Sequence, residues 1–180
     1  KQTGEKILKT RKMILSALFI ALGIVLPSIT MHVPSIGNML CPMHIPVLLC
    51  GFICGPIYGA LIGFILPLLR STLFGMPMMF PTAIAMAFEL TTYGFCTGFL
   101  FRKTTKNTLS IYVSLILSML LGRIVWGIAS AILYSMAKTA FGIQLFIAGA
   151  FLKAIPGILI QLILIPIIII RLQKNHFIHD

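Results

Sequence analysis

The chain has 180 residues, of which 59% are hydrophobic and 9% are charged, and its formal net charge is +11. Soluble domains carry about 25% charged residues, so this composition and a mean hydropathy of +1.08 exclude an ordinary soluble domain. The basic excess does not indicate nucleic acid as a partner, because Lys and Arg collect in the cytoplasmic loops of membrane proteins. Long apolar runs predict an all-α integral membrane protein instead.

Six apolar segments follow one another along the chain, at roughly 13–31, 44–55, 57–69, 80–101, 109–137 and 147–170. We do not expect the first to be a cleaved signal peptide, because no convincing small-x-small site ends it and further spans follow. The second and third are short for a bilayer, which usually needs about 20 residues per helix. An alternative is therefore one helix over 45–69, bent at Gly55-Pro56.

The distribution of charge distinguishes the two topologies. With six spans, both termini and the 102–108 loop share one side, and that side holds 10 of the 14 basic residues. These are Lys1, Lys6, Lys9, Arg11, Lys12, Arg102, Lys103, Lys106, Arg171 and Lys174. With five spans, the last five of them would move to the other side. The positive-inside rule therefore favours six transmembrane helices with both termini cytoplasmic. We expect a single domain over 1–180, with cytoplasmic ends at 1–12 and 171–180.

Two irregular segments are predicted on the external side, at 27–46 and 70–81, both interrupted by prolines. Loops of about 12 or more residues without secondary structure are often functional lids, and methionine side chains suit an adaptable apolar cover. The alternative is a pair of ordinary external loops. Between the two segments, glycines recur every four residues from Gly51 to Gly63. This spacing predicts close packing of two short helices.

Charged residues inside the spans are the main functional signal. Glu89 is one of three acidic residues in the chain and falls inside the fourth segment, whereas Arg123 and Lys153 fall inside the fifth and sixth. At a rise of ~1.5 Å per residue, Glu89 lies about 13 Å and Lys153 about 9 Å below the outer helix ends. Arg70 can add a cation at the mouth. An ionisable residue at membrane depth marks a functional site by default.

These charges support two interpretations. One is an ion pair of Glu89 with Arg123 or Lys153 that ties helices together, since paired charges are cheaper in a membrane. The other is a chamber with surplus positive charge that binds a carboxylate or phosphate. Further candidates for hydrogen bonds and packing to a ligand are Asn38, Tyr93, Trp126 and Gln161.

The remaining polar residues carry no predicted chemistry. His32 and His44 flank the first external loop and are interpreted as ordinary polar loop residues. A histidine needs partner ligands to make a metal site. The four cysteines form no CxxC and no metal-ligand spacing. We therefore predict no metal site.

The first segment contains "SALFIALG", in which Ala17 and Ala21 are four residues apart, and a longer stretch over 44–94 begins "HIPVLLCGFICGPIYG". In these features and in its overall layout the chain resembles the substrate-binding S component of an energy-coupling factor (ECF) vitamin transporter, in the branch that contains pantothenate-specific members. The resemblance implies that Ala17 and Ala21 dock on a transmembrane coupling subunit, which is joined to two ATPases.

The same resemblance implies a binding subunit in a bacterial cell membrane that captures a vitamin from outside among helices four to six and loops one, three and five. ATP and Mg would be bound by the partner ATPases, and no cofactor by this chain. Pantothenate fits the surplus positive charge, with Arg123 or Lys153 binding its carboxylate. Pyridoxine-like compounds, biotin and riboflavin are the alternative ligands.

Two other classes of function are less compatible with the sequence. An intramembrane enzyme needs a nucleophile with a base, paired aspartates or a metal cluster, and the spans contain one carboxylate and no His-Glu-x-x-His pattern. A self-sufficient secondary transporter often shows inverted repeats, and no internal repeat is evident. The chain also has no phosphate-binding loop of its own.

Overall fold

All regular elements that the computed structural model describes are helices. It describes residues 2–30, 42–105, 107–137 and 154–175, with side chains from residue 6 to residue 29 in the first of these ranges. The elements are α1 (Gln2–Thr30), α2 (His44–Cys54), α3 (Pro56–Phe74), a π-helical turn (Met79–Ala83), α4 (Ile84–Lys103), α5 (Thr108–Met136) and α6 (Ile155–Lys174). The prediction of an all-α protein is confirmed for the described ranges.

Five of the described helices are long and apolar enough to cross a membrane. They are α1, α3, α5, α6 and the continuous unit of the π-helical turn with α4. The exception is α2, whose 11 residues are fewer than the about 20 that usually span a bilayer. The chain is therefore a multi-pass membrane protein, whereas the sixth span at α2 and the cytoplasmic location of both termini stay predictions.

The chain reverses direction between α2 and α3. Gly55 has a φ of 103°, in the region that favours glycine, and Pro56 starts α3 at a position where its missing N–H costs nothing. A Cβ added to Gly59 would stand 2.8 Å from the Cα of Gly51. Eight residues of continuous helix would separate these two positions by about 12 Å. The segment is therefore a hairpin of two helices and not one bent helix.

Helix α4 packs against this hairpin on one side and against α5 on the other. A Cβ at Gly98 would meet the backbone N of Pro56 at 2.5 Å and the carbonyl O of Gly51 at 2.6 Å. A Cβ at Gly94 would overlap the carbonyl group of Gly59. The predicted close packing thus involves a third helix, and small residues let its backbone approach both others directly.

The segment predicted to be irregular over 70–81 is mostly helical. Helix α3 continues to Phe74, because Arg70 is buried and held by another helix, and Gly75 ends it in a left-handed conformation with φ 68°. Met76 and Met78 between α3 and the π-helical turn are 58% and 68% exposed. Of the other predicted lid segment, 27–30 belong to α1 and 44–46 to α2, and 31–41 lie outside the described residues.

We predict that Gly94→Ala lowers the stability of the protein, since the added methyl group displaces the backbone of α3. Overpacking a close-packed interior typically costs about 1–3 kcal/mol, and thermal unfolding in detergent would measure the loss. Ala131→Leu adds more bulk at an exposed position of α5 and serves as the control that should unfold at the parent temperature. Equal unfolding temperatures for Gly94→Ala and the parent protein would contradict the proposed contact.

Candidate functional site

The centre of the candidate site is the carboxylate of Glu89, which is 2% exposed. Its Oε1 lies 3.0 Å from Nη1 of Arg123 and accepts a hydrogen bond of 2.9 Å from the hydroxyl of Tyr93. Arg123 is itself buried, at 7% exposure. Removing two charges from water is costly, and their mutual attraction with added hydrogen bonds offsets that cost. Of the two ion pairs that the sequence allowed, the structure contains the one with Arg123.

A histidine completes the cluster. His44 is 3% exposed, and its Nε2 lies 3.6 Å from Oε1 of Glu89. Its ring stands 5.3 Å from the ring of Tyr93, centroid to centroid, at an angle of 54°. Neither ring nitrogen of His44 has a hydrogen-bond partner among the residues that the structure describes. His44 is therefore a buried member of the site and not the polar loop residue that its position suggested.

Three helices position these side chains. Helix α4 supplies Glu89 and Tyr93, which lie one turn apart on the same face. Helix α5 supplies Arg123 near its middle, and His44 is the first residue of α2. Gly122 precedes Arg123, and a Cβ there would overlap the ring of Tyr93. The absence of a side chain at Gly122 lets the tyrosine reach between α4 and α5 to its carboxylate.

Four other residues were predicted for ligand binding, and the structure describes two of them. Trp126 lies one turn beyond Arg123 on α5 and is half-buried. Gln161 is 1% exposed on α6, and its Oε1 accepts no hydrogen bond from the described part of the chain. Asn38 and Lys153 lie outside the described residues. The roles of all four in ligand binding stay predictions.

Arg70 lies in a helix–helix contact. Its Nη1 donates to the carbonyl O of Ile24 at 2.8 Å and to Oγ of Ser28 at 3.3 Å, both on α1. Its guanidinium also stands 5.2 Å from the ring centroid of Phe74. These contacts tie α3 to the end of α1 and account for the burial of Arg70 without a ligand.

The predicted docking residues lie on an exposed apolar face of α1. Ala17 and Ala21 are exposed, as are Ile14 and Leu18 beside them. The opposite side of the helix is buried, and a Cβ at Gly23 there would overlap the side chain of Leu66 on α3. One face of α1 thus packs on the bundle and the other is open to lipid or a partner.

The family model of the ECF transporter substrate-specific component matches residues 11–169. The chain belongs to this family. The match covers all six helices except the first residues of α1 and the last residues of α6. No curated protein and no solved structure is similar enough to the chain to match it.

Membership shows which class of protein this is. Proteins of this family are substrate-binding subunits of transporters and not enzymes, and they work with a coupling subunit and ATPases. In this S component, the described cluster holds one buried carboxylate between a guanidinium, a phenol and an imidazole. Such an arrangement can orient hydrogen-bond donors toward a bound molecule, because the carboxylate holds the guanidinium and the phenol in place.

Sequence reasoning missed His44 because it adjoins a proline-rich loop. One feature of the sequence could have indicated a role for His44 in the site. It starts an apolar helix that is too short to span the bilayer alone. The first residue of such a helix can lie at the depth of a binding chamber. Contact of His44 with Glu89 depends on how α2 packs on α4, which no local pattern encodes.

We predict that Arg123→Met destabilises this S component and that adding Glu89→Gln restores much of the loss. Removing one partner of a buried ion pair typically costs about 3–5 kcal/mol, because the other charge stays buried and unpaired. Replacing both removes that penalty. Unfolding of the single and double variants in detergent measures the difference, and a double variant that is less stable than Arg123→Met would contradict the pairing.

Proposed function

We propose that this S component binds a water-soluble anionic vitamin, with pantothenate as the preferred candidate, and delivers it inward when partner ATPases hydrolyse ATP. The observation that carries the proposal is the ion pair of Glu89 with Arg123. It uses the one carboxylate that the sequence places inside the spans. By the sequence count, Lys153 then supplies the surplus positive charge, which favours an anionic ligand.

Arg123 is the second predicted contact for the ligand carboxylate. A guanidinium has five N–H donors in a planar fork, so one arginine can bridge two carboxylates. In this proposal Glu89 positions Arg123, and the ligand carboxylate binds between Arg123 and Lys153. A cationic vitamin would face a repulsive charge balance at the same place.

The neutral part of pantothenate also suits the surrounding residues. It carries hydroxyl and amide groups, which pair with amide and phenol side chains. Gln161 offers a buried amide oxygen without a described partner, and Trp126 offers a flat apolar surface one turn from Arg123. Asn38, in the loop that follows α1, is proposed to close over the ligand from outside.

We expect mass spectrometry of ligand extracted from the purified protein to detect pantothenate or another anionic vitamin. Lys153→Ala should lose most of this ligand, since a charge-assisted hydrogen bond is worth about 1.5–3 kcal/mol, or roughly 10- to 150-fold in affinity. Lys103→Ala removes a cation at the far end of α4 and is the matched control, which should retain it. A cation such as thiamine in the parent protein would overturn the electrostatic argument.

We also propose that the exposed face around Ala17 and Ala21 docks on the coupling subunit. Small residues four apart let two helices approach closely. Uptake is then driven by ATP and Mg bound to the ATPase subunits, in a bacterial cell membrane.

Ala17→Trp combined with Ala21→Trp should abolish vitamin uptake in cells that contain the complete transporter and leave ligand binding intact. The large side chains prevent close approach of the partner helix. Ile128→Trp combined with Ile132→Trp places the same bulk at the same spacing on an exposed face of α5 and should leave uptake unchanged. If the variant with Ala17→Trp and Ala21→Trp lost ligand binding, or if it showed normal uptake, these residues would not act in docking.

A further inference from the structure

A basic pocket lies at the opposite end of α4 from Glu89. It has a volume of about 760 Å³ and is lined by Lys6, Leu8, Lys9, Lys12, Cys54, Gly55, Pro56, Ile57, Tyr58 and Arg102. These residues come from the start of α1, the α2–α3 hairpin turn and the end of α4. Thirteen residues of helix separate Glu89 from Arg102, or about 20 Å along the axis. The pocket is therefore distinct from the candidate substrate site.

The charge of the pocket is strongly one-sided. Three lysines and one arginine line it, and none of the lining residues that the structure describes is acidic. Glu5 precedes Lys6 in the sequence, but one carboxylate cannot neutralise four cations. Arg102 has a structural role as well, since its Nη2 donates at 3.2 Å to the carbonyl O of Cys54. In the described part of the chain, no side chain of these three lysines donates a hydrogen bond to a carbonyl of another helix.

The pocket lies at the level of the membrane surface. The apolar part of α1 begins after Lys12, the candidate span of α3 begins at Pro56, and the span that contains α4 ends at Lys103. Residues from all three span ends meet here, so the pocket opens where the helices leave the hydrocarbon. Leu8 and Ile57 in its lining are 47% and 69% exposed, which places apolar surface directly beside the cations.

We propose that this pocket is a binding site for an anionic phospholipid. The three lysines would hold the phosphate of the headgroup, and the exposed apolar residues would contact the first part of the acyl chains. Basic pockets between transmembrane helices at the membrane surface bind anionic headgroups in this way. A soluble anion would satisfy the cations alone, whereas a phospholipid matches both the charge and the adjacent apolar surface.

The test is lipid retention by the full chain in native mass spectrometry, with phosphatidylglycerol and phosphatidylcholine as probes. The parent protein should retain phosphatidylglycerol in preference to phosphatidylcholine. Combined Lys6→Gln, Lys9→Gln and Lys12→Gln should reduce its affinity on the order of a hundredfold. Combined Lys103→Gln, Arg171→Gln and Lys174→Gln removes the same charge outside the pocket and should retain the lipid.

Combined Lys6→Arg, Lys9→Arg and Lys12→Arg keeps the charge and should also retain phosphatidylglycerol, which separates loss of binding from loss of folding. Equal losses in the two glutamine variants would overturn the proposal in favour of a general charge effect. Retention by the pocket variant would overturn it directly. Displacement of the lipid by inorganic phosphate would assign the pocket to a free anion, and absence of lipid binding by the purified chain would overturn the proposal.

Discussion

The arrangement of the helices around the candidate site depends on the need to neutralise one buried carboxylate. Glu89 is held by Arg123 from α5 and by Tyr93 from its own helix, with His44 of α2 beside it. Glu89 and Arg123 are both buried, so the ion pair between them favours one alignment of α4 and α5 along their axes. The same contacts that stabilise the charge also orient donors in the region where the substrate is proposed to bind.

Helix α4 combines two kinds of packing on different faces. On the side of the hairpin, Gly94 and Gly98 bring backbone against backbone, which gives a close contact between the helices. On the side of α5, polar side chains meet in a small buried cluster. The close contact with the hairpin positions α4, and the position of α4 in turn determines where Glu89 and Tyr93 lie.

The composition and the positions of the charges predicted much of this correctly. The all-α membrane class follows from hydropathy, and the hairpin at Gly55 was favoured over one bent helix by the distribution of charge. The pairing of Glu89 with Arg123 is one of the two interpretations that the charges in the spans supported. The prediction of an irregular segment from Arg70 was wrong for its first residues. Prolines and a charge indicated a loop there, whereas α3 continues to Phe74. Arg70 can lie buried within α3 because the carbonyl O of Ile24 on α1 accepts a hydrogen bond from its guanidinium.

By itself, the sequence determined the class of protein, the number of apolar segments and which charges lie at membrane depth, because these depend on local composition and on the thickness of the bilayer. The tertiary structure alone decided which partners meet: Arg123 on Glu89, His44 beside them, and lysines of α1 around the α2–α3 turn. Those contacts join residues distant in the chain, and they depend on the crossing of helices that no local pattern specifies.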